Sequence, residues 1–466
     1  MTLAQRMARF ALHLSWGDLP AKTVESATRA IADTLACAIA ATDEPSVRLL
    51  RDYALARSAR QTATLLGTAE RVDPALAALV NATAARDLDA NDLYATIPGR
   101  DTGHFSDAIP ALLAVAEHQG SGGRDLILAT VIAYEIQAAL AEGYLWMNRG
   151  LHSVSQVAWA VPAAAGRLMG LSEDEISHAI GLSGSTGGLI LQSWLKPSAQ
   201  IPMIKGASAG FAAMRGVEAA ELAKMGFTAP PDALETLFDR LPSDAEADRF
   251  ARLEEREQFA VERTIIKRYP AQIYTQSAIE AAIELSGRIE SVDEITVATL
   301  YGHRNVAAGV QGSGAAYTPE TREAADHSTP FVVAMALRDG DLTAASYRDE
   351  PWRDEAVLDV MRRIDLVIDP DLDAAFDRDG KLGCKLVVEL VDGTVLETEV
   401  DQPEGHPDRP MSTESLNAKF RELLFGIAPD RRTSDLIDLT SSLATAPDLS
   451  RLIDGLPVLD TQAQHR

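Results

Sequence analysis

The stretch Cys384-Lys-Leu-Val-Val-Glu-Leu-Val391, Asp392-Gly393, Thr394-Val-Leu-Glu-Thr-Glu-Val400 decides the fold class, because it reads as paired strands in a chain otherwise patterned for helices. Asp-Gly between two such runs is the signature of a type I′ hairpin. Upstream, Thr264 to Tyr269 is short and β-branched, and Ser291 to Leu300 reads as a further strand. An α+β unit is therefore expected over residues 263–402.

The sequence before it has a different texture. From Lys22 to Ala41, apolar residues recur at Val24, Ala27, Ile31, Leu35 and Ala38, the three-and-four spacing of a helix with one buried face. Similar patterns cover Pro74 to Ala85, Ser106 to His118, Gly123 to Ala141, Val154 to Met169 and Ala207 to Lys224. Gly170 reads as a C-cap, and Ser172 with Glu175 as a capping box for the next helix. After Pro403 the helical pattern returns from Ser412 to Leu424. Residues 403–466 are expected to pack back onto residues 1–262 in one all-helical domain.

Composition narrows the function. A chain of 466 residues is too long for one ordinary core. With 46% hydrophobic and 24% charged residues it can bury enough surface to fold, and disorder is expected only in the last few residues. A net charge of −25 disfavours nucleic acid and anionic membranes, which are held by clustered Lys and Arg. It does not disfavour a carboxylate ligand, since a few cations converging in one pocket are strengthened by low dielectric. No signal peptide and no apolar run of spanning length is read, so the cytoplasm is the expected compartment. Only Cys37 and Cys384 are present, far apart and in apolar settings; neither a disulfide framework nor an iron–sulfur cluster is expected. No H-E-x-x-H or C-x-x-C motif occurs, and no metal site is expected.

Four segments carry candidate chemistry. The first is Arg86-Asp-Leu-Asp89-Ala-Asn91-Asp92, followed by Gly103-His104-Phe-Ser-Asp107. A calcium-loop reading fails, because position 6 is Asp92 rather than Gly and position 12 is Pro98 rather than Glu. A solvated loop with a helix cap is the plain reading, yet Arg86 and His104 bracket the carboxylates, and a carboxylate near His is an acid/base arrangement. The second is Arg149-Gly-Leu-His152-Ser153, where His152 either caps the apolar helix that follows or acts from the loop. The third is Met203-Ile-Lys205-Gly-Ala-Ser208. A Lys at a helix N-terminus opposes the macrodipole, and with the terminal amides it offers a site for a carboxylate. The fourth is Ile266-Lys267-Arg268-Tyr-Pro-Ala-Gln-Ile-Tyr274-Thr-Gln276-Ser277, where paired cations before a proline turn either clamp a carboxylate or stand solvated beside a strand end.

Glycine-rich runs complete the survey. Gly181 to Gly188 lacks a phosphate-loop ending and reads as close helix packing or a bend, and Gly309 to Gly314 as a mobile loop. Gly206-Ala-Ser-Ala-Gly210 matches a nucleophile elbow by letter, but no strand precedes it.

Taken in order, these segments resemble the MmgE/PrpD family of 2-methylcitrate dehydratases, cis-aconitate decarboxylases and iminodisuccinate epimerases. Supporting stretches are Ile31 to Leu35, Gly103 to Ala111, Lys205 to Thr228, Thr321 to Ser328, and Gly405-His-Pro407 through Arg421. The resemblance implies a mainly α large domain, an inserted α+β lid domain, a homodimer and a cofactor-free cleft between the domains. Carried over by motif, Asp89, His104, His152, Lys205 and the Gln276 region would line that cleft. The implied reaction is a hydro-lyase step on a 2-methylcitrate-like di- or tricarboxylate. His152 and His104 would form the acid/base pair and Asp89 would orient one of them. Lys205 with Lys267 or Arg268 would meet the carboxylates, with Arg86, Asn91, Asp92, Tyr274 and Gln276 as further substrate contacts. Departures from the family pattern are Leu93 in place of a Thr, Phe105 in place of a Pro, Tyr274 and Gln276 where a His is common, and Phe331 in place of a Tyr. Epimerisation and decarboxylation pass through the same charge on a carboxylate and stand as alternatives. A silent binding protein is disfavoured because His104, His152 and Lys205 all persist.

Two remote cysteines cannot hold a typical cluster. Activity is therefore expected to survive chelators, without an iron chromophore; stoichiometric iron in active protein, or inactivation that added metal reverses, would contradict this.

Overall fold

A computed structural model describes residues 1–94, 101–194, 196, 199–241, 250 and 252–459, so the last residues of the tail, like Pro98, lie outside it. Two large hydrophobic cores partition the chain. The first draws on helices between Leu3 and Val261 and again on residues from Met411 to Leu456. The second runs from Ala271 to Val400.

The helical core rests on small residues. Helices Pro74–Asp87 and Ile204–Lys224 approach so closely that a Cβ on Gly210 would lie 2.1 Å from the Leu79 carbonyl oxygen. That contact explains the Gly206-x-Ser208-x-Gly210 string as helix packing. Gly184 does the same against the Trp159 ring. Helix Gly123–Gly143 is long and apolar enough to span a membrane, but 94% of its apolar window is buried inside the protein.

The second core is built on a four-stranded sheet in the order Ile364–Ile368, Ile295–Gly302, Cys384–Leu390, Val395–Val400. Helices Gln276–Ser286 and Thr329–Asp339 contribute its apolar cover. The hairpin forms where the sequence places it, with Glu389 opposite Val395, but its turn differs. Leu390 and Thr394 close a loop in which only Gly393 takes positive φ, at +87°. This corrects the type I′ expectation: adding Val391 to the loop spares Asp392 the left-handed conformation that an L-residue resists. Strand Ile364–Ile368, which pairs in parallel with Ile295–Gly302, has no counterpart in the sequence reading. Of the run Thr264 to Tyr269, only Thr264–Ile265 is strand, paired with Leu93–Tyr94. Gly309 to Gly314 forms short helical turns.

The chain passes between the cores twice, and the two crossings touch. The Ile266 amide donates to the Gly405 carbonyl at 3.2 Å. Gly405 has φ +91°, and a Cβ there would sit 1.9 Å from the Ile266 oxygen, so only Gly fits.

From the C-terminal helix Thr413–Leu424, Lys419 reaches into the helical core, where its Nζ lies 2.5 Å from Asp33 Oδ1 and 2.8 Å from the Ala90 carbonyl. Both partners are buried, and burial pushes the Asp33 carboxyl up against the pull of Lys419. Removing one member of such a pair strands the other charge, at a cost of about 3–5 kcal/mol. Lys419→Met is expected to lose stability on that scale in denaturant unfolding, and Asp33→Leu/Lys419→Met to regain most of it.

Candidate active site

Helix Pro74–Asp87 ends just before the residue around which the site is arranged. Asp89 takes φ +49°, a left-handed conformation uncommon for a residue with a Cβ. Two buried ammonium groups hold the two carbonyls that follow the bend. Lys267 Nζ lies 2.7 Å from the Asp89 carbonyl, and Lys419 Nζ 2.8 Å from that of Ala90.

The Asp89 carboxylate collects partners from across the fold. Lys267 Nζ is 2.8 Å from Oδ1, Lys205 Nζ is 3.4 Å from Oδ2, and His104 Nε2 and His327 Nε2 stand at 4.0 and 3.9 Å. Burial alone would raise this carboxyl, but Lys205 and Lys267 outweigh it and hold it well below the usual carboxylate range. Burial lowers Lys267 to about 8 despite Asp89. His104 is pushed well below its ordinary value by burial, with Arg86 and Lys267 adding to the effect, and its Nδ1 has no partner among the described residues.

Two histidines are held in opposite tautomers. His152 Nδ1 accepts the Val154 amide at 3.2 Å, and burial, then Arg86 and Lys205, lowers the ring to about 3. The ring is therefore neutral near pH 7, with its proton on Nε2. His327 Nδ1 is hydrogen-bonded to the Asp326 carboxylate, an acceptor, so Nδ1 carries a proton, and in the neutral ring Nε2 is the basic nitrogen. Asp326 is itself braced by Lys205 at 3.4 Å and Arg322 at 3.4 Å.

These groups open on one cavity of about 410 Å³ between the two cores. Asp89, Asp326 and His327 place ligand-type atoms within 4.8 Å of one another, a spacing a metal ion could use. Lys205 already puts an ammonium 3.4 Å from both carboxylates. A divalent ion there would meet that charge and Lys267 at close range, so the donor set suits lysine rather than metal.

The structure brings together Arg86, Asp89, His104, His152, Lys205, Lys267 and Tyr274, all lining the cavity. Four expected contacts lie elsewhere. Arg268 turns away into a paired contact with Glu422 at 2.5 and 2.7 Å, because successive residues of the extended segment face opposite sides and Lys267 takes the inner one. Gln276 closes the Tyr269–Ala271 turn through backbone bonds. Asn91 bonds Ser106 and Asp107, while Asp92 accepts from Tyr134 and the Ser106 amide, so both brace the loop from behind. His327 and Asp326 escaped the sequence reading as site residues. Their signal was an Asp-His pair immediately before the Ser328 cap of helix Thr329–Asp339, the same loop-before-helix placement as His152.

Comparison with known proteins finds matches along nearly the whole chain. Residues 5–239 match the MmgE/PrpD N-terminal domain and residues 269–443 the MmgE/PrpD C-terminal domain. A 2-methylcitrate dehydratase of Cupriavidus necator is 29% identical over 93% of this chain and 91% of its own. The human cis-aconitate decarboxylase is 27% identical over 95% of this chain and 92% of its own. A probable 2-methylcitrate dehydratase of Saccharomyces cerevisiae is 26% identical over 90% and 85%. The chain belongs to the MmgE/PrpD family and is an enzyme of the lyase kind.

Proposed function

We propose that the chain is a hydro-lyase acting on a small polycarboxylate of 2-methylcitrate-like skeleton, by removal of the proton alpha to a carboxylate and loss of the β-hydroxyl. The observation that carries the reading is the pairing of a carboxylate-oriented His327 with a neutral, Nε2-protonated His152 around one cationic cavity. His327 Nε2 takes the proton, which moves the base assignment away from His152 and His104. Its imidazolium is stabilised by Asp326 and by Asp89 at 3.9 Å. Arg86, Lys205 and Lys267 face the substrate carboxylates, where charge accumulates as the carbon is deprotonated. His152 Nε2–H donates a hydrogen bond to the departing hydroxyl, which takes up the proton gathered on His327 and leaves as water. The unit formed by residues 263–402 acts as a lid, and its closure excludes water from the cavity.

Two outcomes are expected in deuterated water with a panel of citrate-like, aconitate-like and aspartate-derived acids. His327→Gln should abolish deuterium entry into recovered substrate. His152→Gln should retain exchange while water loss slows by about a hundredfold or more. Both variants should keep the melting temperature near that of the wild type. The reverse pattern would exchange the two roles; mass gain without water loss would indicate epimerisation, and release of carbon dioxide a decarboxylase.

The pH profile follows from Lys267. Its useful form is the ammonium, complete below the lowered value of about 8 and lost as pH rises through it. kcat/KM is therefore expected to fall about tenfold per pH unit above that point, and a profile flat to pH 10 would exclude this role.

A further inference from the structure

We propose that Arg322 is a positioning residue of the proton transfer: from an anchorage on the helical core it holds the Asp326 carboxylate in place for His327. The inference rests on the reading of His327 as the base, and it concerns a group outside the cavity. Arg322 opens the short helix Arg322–Ala325, and Asp326, four residues on, faces the same side of that turn. Its Nη1 stands 3.4 Å from Asp326 Oδ2 and donates at 2.7 Å to the carbonyl of Asp87, the last residue of helix Pro74–Asp87. That nitrogen carries two hydrogens and so serves both acceptors. The guanidinium carbon also lies 5.0 Å from the centre of the Tyr347 ring, whose hydroxyl is tied to the Pro270 carbonyl at 2.8 Å.

The two oxygens of Asp326 have separate partners. Oδ1 holds His327 Nδ1, while Oδ2 receives Arg322 and Lys205. Lys205 is divided between tasks, since it stands equally 3.4 Å from Asp89 Oδ2 and lines the cavity. Arg322 is not among the described residues lining that cavity, so it can act on the base without touching substrate. The segment that carries it is sewn to the helical core. The Gln200 carboxamide donates to the Thr318 carbonyl at 3.0 Å and accepts the Glu320 amide at 2.9 Å, and the Thr321 hydroxyl donates to the Ile201 carbonyl at 2.8 Å. The segments that bring Lys205 and His327 are thereby joined just ahead of both residues. To turn away from His327, Asp326 would have to leave Arg322, and a misplacement of about 1 Å costs on the order of a hundredfold in rate.

The test follows deuterium entry into recovered 2-methylcitrate, with the full-length protein in deuterated water, over a range of acid concentrations. Arg322→Met should lower the saturating exchange rate by at least about tenfold and leave the half-saturating concentration within about threefold. Arg322→Lys, which keeps the charge but not the planar fork, should recover part of the loss and stay about threefold below the wild type. A saturating rate unchanged in Arg322→Met overturns the proposal, and so does a loss that appears in half-saturation instead, which would make Arg322 a substrate contact. Equal rates in Arg322→Lys and Arg322→Met overturn it as well. If Arg322→Met does not fold, Arg322→Lys decides alone, and a wild-type rate there is the overturning result. The underlying reading is tested apart from this by His327→Gln: exchange that is absent from the wild type, or that survives His327→Gln, removes the base and this role together. Exchange lost in His327→Gln but untouched in the Arg322 variants removes only the positioning role.

Discussion

A single buried carboxylate holds the site together. Asp89 lies between Lys205 and Lys267, one from the start of a long core helix and one from the segment that crosses between the cores. None of the three is tolerable in the interior alone, since an unpaired buried charge costs several kcal/mol. Together they tie the helical core to the crossing segment. The bend at Asp89 is part of the same device. Lys267 and Lys419 take the two carbonyls that follow its left-handed backbone, those of Asp89 and Ala90.

Around this centre the two cores contribute different chemistry. The helical core supplies Arg86, His104, His152 and Lys205, while the second core supplies the Asp326–His327 pair and most of the apolar wall. Two histidines of opposite tautomer thereby line one cavity. Their tautomers are imposed by a carboxylate in one case and a backbone amide in the other.

Packing explains how such polar groups converge. Gly210 lets helix Ile204–Lys224 lie against helix Pro74–Asp87, so that Lys205 arrives beside Asp89, just past the end of that helix. Gly405 lets the two crossings touch, which keeps Lys267 at the mouth of the helical core.

Much of this was legible in the residues. Helical periodicity, the Asp392-Gly393 punctuation and the Ser172–Glu175 capping box are local signals, set by steric and hydrogen-bonding preferences that act within a few residues, and they located helices and hairpin. Asp89, His104, His152 and Lys205 stood out because each is a polar group at a loop or helix start. Other features depend on contacts between distant segments. Strand Ile364–Ile368 is a strand because Ile295–Gly302 lies beside it, and its own five residues carry too little pattern to announce it. Lys267 and Arg268 are neighbours of the same chemistry, and only the direction of the backbone decided that one enters the cavity while the other pairs with Glu422. His327 became a candidate base through Asp326 on one ring nitrogen and Asp89 near the other, from a segment remote in sequence. The sequence by itself therefore determined which residues were able to do chemistry. Which of them meet was decided by tertiary structure, because a side chain's ionisation, tautomer and direction are properties of its surroundings and not of its name.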